Sequence, residues 1–584
     1  MKSTTTRLAS LGLAGSLAVF TALGGVPAQA AKDKRPGDKG GNPNLTSVQL
    51  LSFNDYHGHL EATDPPLNAT LDPSQTPVGG AEYLSSKLTE LRGDAPGGNS
   101  LTVAAGDLIG GSPFLSGLFH DEPSVESLNA MGLDVSSVGN HEFDEGTDEL
   151  LRMQNGGCHP TDGCYFPDQP YQGADFQWLA ANVVKKDGSG TLLPGTSIKN
   201  IAGTKVGFIG MTLEATPTLV SPAGVSSVEF RDEVQTANQQ AQVLKKQGVK
   251  AIVVLLHEGG YQSGTYQGCE GISEPITQIA AQMTPEVDQI VSGHTHQPYV
   301  CSLPDPEGNP RLVTSAADYG RVVTESTLVI NKRSGEVMRD RSTATNHLVE
   351  RTTADPKQTA IINKWKSLSE VVGARVIGTV AEDILGDSSG DRGIETPMAD
   401  MIADSILAAT DGADEGGAQI SFMNVGGVRA SLRYAPKYTE GPGEVTYKEA
   451  YDVLPFGNRI VTVSMTGAQI EEALEQQYQP VEARGSRPML ALGVSEGFTY
   501  DWDASQPQGS RVVAGSMALN GTPIDPNATY RVSMYNFLAE GGDLFSAFTE
   551  GTDLTGGPED LAALEAYLGA NPGLTAPESR VGGL

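Results

Sequence analysis

Positive charge is scarce in this chain of 584 residues: 39 Lys and Arg face 71 Asp and Glu, a formal net charge of −32. A surface of that sign repels polyanions, which argues against non-specific binding to DNA, RNA or anionic membranes, although a local basic pocket or a metal can still hold a small phosphorylated ligand. Cysteine is scarce too. Cys158, Cys164, Cys269 and Cys301 include no C-x-x-C pair, so structural staples are a better reading than a thiolate zinc site. Long apolar runs are missing after residue 30, and nothing there reaches the ~20 residues that a membrane span needs. Histidine is limited to nine residues, so their placement is informative.

What is present first is an export signal. Lys2 and Arg7 precede an apolar stretch from Leu8 to Gly25, and Ala28-Gln29-Ala30 supplies an A-x-A cleavage pattern. Residues 1–30 therefore read as a signal peptide of a protein released outside the cytosol, extracellular or periplasmic, with no stable membrane insertion. In that setting disulfides persist, and Cys158–Cys164 and Cys269–Cys301 are the expected pairs among three possible pairings. Residues 31–44 are Gly-, Lys- and Asp-rich and read as a flexible lead-in.

A hydrophobic content of 38% supports a real core, and the length suggests two large domains. From 45 to 345, short β-branched runs (48–53, 101–105, 135–138, 205–211, 251–256, 289–292) alternate with helix-like stretches, the pattern of a layered α/β domain. Residues 346–372 read as a linker with a helix that starts at Asp355-Pro356. Beyond it, 373–584 reads as a second, smaller α/β domain, with strands at IGTVAEDI, QISFMNVGG, RIVTVSM, GFTYDW and TYRVSMYNFL and helices near Pro397 to Ala409 and Ala468 to Gln476.

Five of the first domain's strand-like runs end in residues suited to metals: Asp55 and His57, Asp107, Asn140 with His141 and Asp144, His257, and His294 with His296. Ligands of open α/β sheets sit beyond the carboxyl ends of strands, so these tips can converge. Asp55 and His57 are two apart, as are His294 and His296; if the chain stays extended, each pair leaves one face. Carboxylate, imidazole and amide oxygen suit Zn²⁺, Mn²⁺, Co²⁺ and related ions. Five of the nine histidines occupy these tips, and the other four, His59, His120, His159 and His347, read as loop or surface residues.

The ordered set D-x-H, G-D, G-N-H-E-F-D, a strand-end His and G-H-T-H resembles the calcineurin-like metallophosphoesterases, and NDYHGH with GNHEFD is similar to the bacterial 5′-nucleotidase branch. The resemblance implies a four-layer α/β/β/α catalytic domain and two divalent metals, one on Asp55, His57, Asp107 and His296, the other on Asp107, Asn140, His257 and His294. His141 is then the residue that stabilises the transition state or protonates the leaving oxygen, with Asp144 orienting its imidazole. In the second domain, NVGGVR, LPFGN and NFLAEGGD resemble the nucleotidase C-terminal domain. That resemblance implies a nucleobase between Phe456 and Phe537, ribose on Asp543, and phosphate or sugar on Asn424, Arg429 and Arg392. The expected substrates are small nucleotides rather than nucleic-acid polymers. A 5′-nucleotidase leads; a 2′,3′-cyclic-nucleotide phosphodiesterase with 3′-nucleotidase activity, a UDP-sugar hydrolase and a non-enzymatic binding module are the alternatives.

Overall fold

The computed structural model describes residues 44–220, 224–387, 390–438, 440–484 and 487–584, all within one compact unit. The export signal and nearly all of the lead-in lie outside the described residues.

Two six-stranded sheets face one another in the first half. One runs in the order Thr343–Leu348, Val322–Asn331, Leu45–Phe53, Ser100–Ala105, Val135–Ser137, Gln177–Leu179; the other runs Tyr299–Pro304, Pro310–Ser315, Gln289–Ser292, Ala251–His257, Thr204–Thr212, Thr196–Ile201. The apolar residues alternate as a pleated strand requires. In Ala251–His257, Ala251, Val253 and Leu255 join Val48, Leu50, Val103 and Phe208 between the sheets, while Ile252, Val254 and Leu256 face the outer helices Glu233–Lys246 and Ile276–Gln282. Leu51 and Phe53 point the other way, toward helices Ala81–Gly93, Glu122–Met131 and Gly146–Asn155. The result is a four-layer α/β/β/α sandwich. Each fully buried leucine or valine contributes about 1.5–3 kcal/mol, so two-sided burial of these strands is a dominant stabilising force.

The helix at Pro356–Gly373 starts where Asp355 accepts a hydrogen bond from the Lys357 N–H and proline occupies the first turn. Its Trp365 Nε1 donates to Glu126 at 2.8 Å, and buried Gln358 bonds Ser127. Beyond it lies a five-stranded sheet in the order Leu492–Val494, Ile420–Asn424, Thr529–Tyr535, Arg459–Thr466, Thr552–Glu559. Phe422, Val461, Val463 and Val532 fill one face, and Met423, Ile460 and Tyr535 pack the other against helices Pro397–Ala408 and Asp560–Ala570. The GFTYDW run forms Phe498–Asp501 in a separate four-stranded sheet.

The strand Thr552–Glu559 is absent from the sequence reading. It is an edge strand that reads TDLTGGPE, has no fully buried residue and leaves Leu554 67% exposed, so it carries no alternating apolar signal. Cys158–Cys164 and Cys269–Cys301 are both bonded. Among the described residues, no helix is long and apolar enough to cross a membrane.

Candidate active site

The central strands of each sheet run parallel, so their carboxyl ends deliver side chains to one edge of the sandwich. The two sheets approach closely there. A Cβ at Gly106 would come within 2.6 Å of the Gly139 nitrogen and 2.7 Å of His257 Nδ1, and one at Gly139 would lie 2.2 Å from Asp107 Oδ1. Only glycine leaves that space.

The expectation that Asp55/His57 and His294/His296 continue as extended strand fails. Asp55 (φ 50°), His57 (46°), Asp107 (49°), His294 (70°) and His296 (56°) all have left-handed backbone. An extended strand would line residues up along a face, whereas a curled tip aims them at a point; the left-handed turns are what make them converge. His294 and His296 accordingly belong to different clusters.

One cluster gathers Asp55, His57 and His296, the other Asp107, His257 and His294, with ligand atoms within 4.8 Å of one another in each. Asn140 Oδ1 lies 3.0 Å from His294 Nδ1 and so joins the second. Asp107 stands between them, its Oδ2 at 2.9 Å from His257 Nε2 and 3.6 Å from His57 Nε2. His57 and His257 turn Nδ1 to the carbonyls of Gly110 and Ala105, each at 2.8 Å, which makes Nδ1 the donor and leaves Nε2 as the free lone pair. Both Nε2 atoms are buried without a well-aligned hydrogen bond. Buried imidazole Nε2 atoms that face shared carboxylates, with Nδ1 already held, fit divalent cations.

The electrostatics agree. Burial, reinforced by neighbouring imidazoles, holds His57 well below the usual histidine range and lowers His294 to about 3. Burial also works against charge on His257 and His296, yet Asp107 and Asp55 prevail for His257, and Asp55 and Asp318 for His296. His257 is thereby pushed up to about 10. The carboxylates thus demand positive charge at this spot.

His141 Nδ1 sits 2.8 Å from Asp144 Oδ2, its backbone N–H donates to Asp107 Oδ1 at 2.9 Å, and its ring lies 4.9 Å from that of His57. Burial disfavours the imidazolium, but Asp144 and Asp107 outweigh burial and raise its pKa. A cleft of about 590 Å³ opens here, and all six second-domain residues singled out from sequence (Arg392, Asn424, Arg429, Phe456, Phe537 and Asp543) line it opposite the metal-type residues. Phe456 stacks toward His141 with centroids 6.2 Å apart, and the Arg429 guanidinium lies 5.4 Å from the Phe456 ring centre.

Several residues escape sequence reasoning. Asp318 receives His296 Nδ1 at 3.0 Å and is itself held by Arg321. Buried Glu142, inside the GNHEFD motif but given no role there, accepts the N–H groups of Asp107 (2.9 Å), Leu108 (2.7 Å) and Gly139. Arg487 lines the cleft; in a chain so poor in positive charge, an arginine that follows Gly-Ser in the sequence was a signal. Of the four remaining histidines, His59, His120 and His159 do lie in loops, and the loop or surface reading needs correction at His347. His59 stacks on Tyr319 at 3.7 Å, His347 belongs to strand Thr343–Leu348 and pairs with Glu325, and His120 and His159 stack on one another.

Residues 49–298 match the calcineurin-like phosphoesterase family, and 376–550 match the 5′-nucleotidase, C-terminal domain family. A cell wall protein of Listeria monocytogenes is 33% identical over 97% of this chain and 71% of its own length. Endonuclease YhcR of Bacillus subtilis is also 33% identical, over 89% of this chain, but the chain spans only 39% of that protein's length. Among solved structures, a 5′-nucleotidase precursor from Thermus thermophilus superposes with a TM-score of 0.69 at 26% identity, covering 92% of this chain and 99% of the other.

Proposed function

The chain belongs to the family of metal-dependent phosphoester hydrolases that join a calcineurin-like phosphoesterase domain to a 5′-nucleotidase C-terminal domain, and from that premise we propose that it is an exported 5′-nucleotidase releasing phosphate from small nucleotides. The observation that carries the proposal is the shared cleft: His141 and an aromatic ring with an arginine over it face one another at 6.2 Å.

In this reading Asp55, His57, Asp107 and His296 hold one divalent cation and Asp107, Asn140, His257 and His294 the other. Such a pair supplies Lewis-acid activation of water and neutralises charge on phosphoryl oxygens. The protein does the rest. Asp144 holds His141 through Nδ1–H and favours its imidazolium, so that Nε2–H can donate a hydrogen bond to the reacting phosphoryl group or a proton to the departing oxygen. Asp318 and the two backbone carbonyls orient the ligand imidazoles, and Glu142 ties the two loops that carry Asp107 and Asn140.

Phe456 and Phe537 offer π-faces to a base, which is permissive among bases. Asp543, its carboxyl raised by burial against the pull of Arg484 and Arg392, suits ribose hydroxyls, and Arg429 and Arg392 suit phosphate. Export rests on the basic, apolar, A-x-A leader and on the two disulfides. A net charge of −32 speaks for small nucleotides over polymers.

The test is to strip the purified protein with a chelator, restore Mn²⁺, Zn²⁺ or Co²⁺ separately, and measure phosphate released from AMP, UDP-glucose and 2′,3′-cyclic AMP. Metal-dependent release that is fastest from AMP is expected. Preference for the cyclic substrate or the nucleotide sugar would replace the specificity, and inertness toward all three would overturn the reading.

A further inference from the structure

His120 and His159 come from segments 39 positions apart in the chain and meet away from the cleft, with ring centroids 3.7 Å apart and planes at 17°. His120 follows the short helix Phe114–Gly117; Glu145 sits at the start of helix Gly146–Asn155; His159 and Asp162 lie in the loop closed by Cys158–Cys164. His120 Nδ1 lies 2.7 Å from Glu145 Oε2, and its Nε2 lies 3.2 Å from Asp162 Oδ2. His159 Nδ1 accepts the Asp162 N–H at 3.1 Å, which puts the ring proton on Nε2 in the neutral form. One donor atom from each of His120, Glu145 and His159 falls within a 4.8 Å span.

The plainest account is a protonated His120 shared by two carboxylates. It explains why that imidazole, despite burial, is pushed up to about 9 by Glu145 and Asp162. It does not explain a second imidazole. Stacking beside a cation, His159 is itself lowered by burial and by His120, so the pair repels wherever both are charged. A divalent ion removes that conflict, because both rings then act as neutral donors.

We propose that His120, Glu145 and His159 form a third divalent-cation site, of zinc type, that clips the Cys158–Cys164 loop to the segments bearing the catalytic residues, with Asp162 steadying His120 through its other ring nitrogen. Two imidazoles with a carboxylate suit Zn²⁺ or Co²⁺ far better than Ca²⁺ or Mg²⁺, which prefer all-oxygen shells. The cation takes the place of the proton between His120 and Glu145, so binding at neutral pH releases that proton to solvent, and the rings tilt from their stack to aim lone pairs at one centre, His159 exchanging the Asp162 N–H at its Nδ1 for the ion. The site is tied to the cleft through two short paths. Glu145 follows Asp144 directly. Asp121, next to His120, accepts the Gly110 N–H at 2.9 Å, and the Gly110 carbonyl faces His57 Nδ1 at 2.8 Å. The role is structural: none of the four residues lines the cleft.

The experiment counts metal. Wild type and His159→Gln are stripped, reloaded with Zn²⁺, desalted and measured for bound zinc per chain, each also in an Asp107→Ala background that disables the inner sites. Wild type should hold one equivalent more than His159→Gln in both backgrounds, and Zn²⁺ should raise the Tm of Asp107→Ala but not of the double variant. Equal zinc in wild type and His159→Gln overturns the proposal. Loss of the difference in the Asp107→Ala background alone also overturns it, because the zinc would then belong to the inner sites. Should His159→Gln fail to fold by circular dichroism, Glu145→Gln carries the same comparison.

Discussion

The two walls of the cleft are built on different principles. The metal-type and catalytic residues of the first-domain wall end buried strands or follow them by no more than seven positions; Asp55, Asp107, Asn140 and His257 are almost fully buried, and each histidine is oriented by a second group. The second-domain wall is built on loops and single helical turns, Arg429 and Phe456 in loops, Phe537 and Asp543 in one-turn helices, and their partners are mostly one another. Metal coordination tolerates errors of a few tenths of an ångström, so its ligands need a rigid frame. Base stacking and phosphate pairing tolerate more, so loops suffice. One wall should therefore be brittle to substitution and the other graded.

The largest effect tests the brittle wall at its centre. Asp107→Ala should abolish phosphate release to the limit of detection and, with it, remove the metal held at the two inner clusters, since its oxygens face both; retained turnover would refute the two-cluster reading. Next, His141→Ala should lower kcat by roughly 10²–10⁴-fold with metal content at the two inner clusters unchanged, as measured by elemental analysis beside steady-state kinetics. Asp318→Asn should weaken metal binding by ~10–100-fold, seen as a higher metal concentration for half-activation and recovered kcat at saturation. On the graded wall, Phe456→Ala should cost about 1–3 kcal/mol of base binding, read mainly as a higher KM for AMP; an equal loss toward a base-free phosphate ester would show that Phe456 serves catalysis instead.

The smallest effect lies outside both walls. Folding raises the His120 pKa to about 9 from an unfolded value near 6.5. In chelator-treated protein its contribution to stability is thus full below about pH 6.5 and is lost as pH rises through about 9. A Tm-against-pH curve for wild type should fall across that window more than one for His120→Gln.

How much of the molecule was legible in its sequence follows the same division. The strands were readable because burial on both faces writes uninterrupted β-branched runs such as AIVVLL, and the tips because Asp, Asn and His directly follow them. The left-handed turns at those tips were not, since nothing in D-Y-H distinguishes a curl from a continuing strand. Asp318 was hidden because its meaning comes from His296, a neighbour in space through the adjacent sheet end. On the graded wall, no periodicity marks Phe456 or Arg487, and the six residues there were reached through resemblance rather than through physical pattern. The His120 and His159 pair was invisible because the disulfide loop, rather than a regular element, brings it together.

The left-handed backbone at Asp55, His57, Asp107, His294 and His296 has a consequence for how such a chain can change over evolutionary time. Left-handed conformations cost non-glycine residues roughly 1 kcal/mol each, and glycine or asparagine at any of the five would ease that burden. Selection on thermal stability alone would push the site toward those residues. A chain that keeps aspartate and histidine there bears a stability deficit that only activity can justify, so a stabilising drift at these five positions would be an early sign that catalysis is no longer under selection.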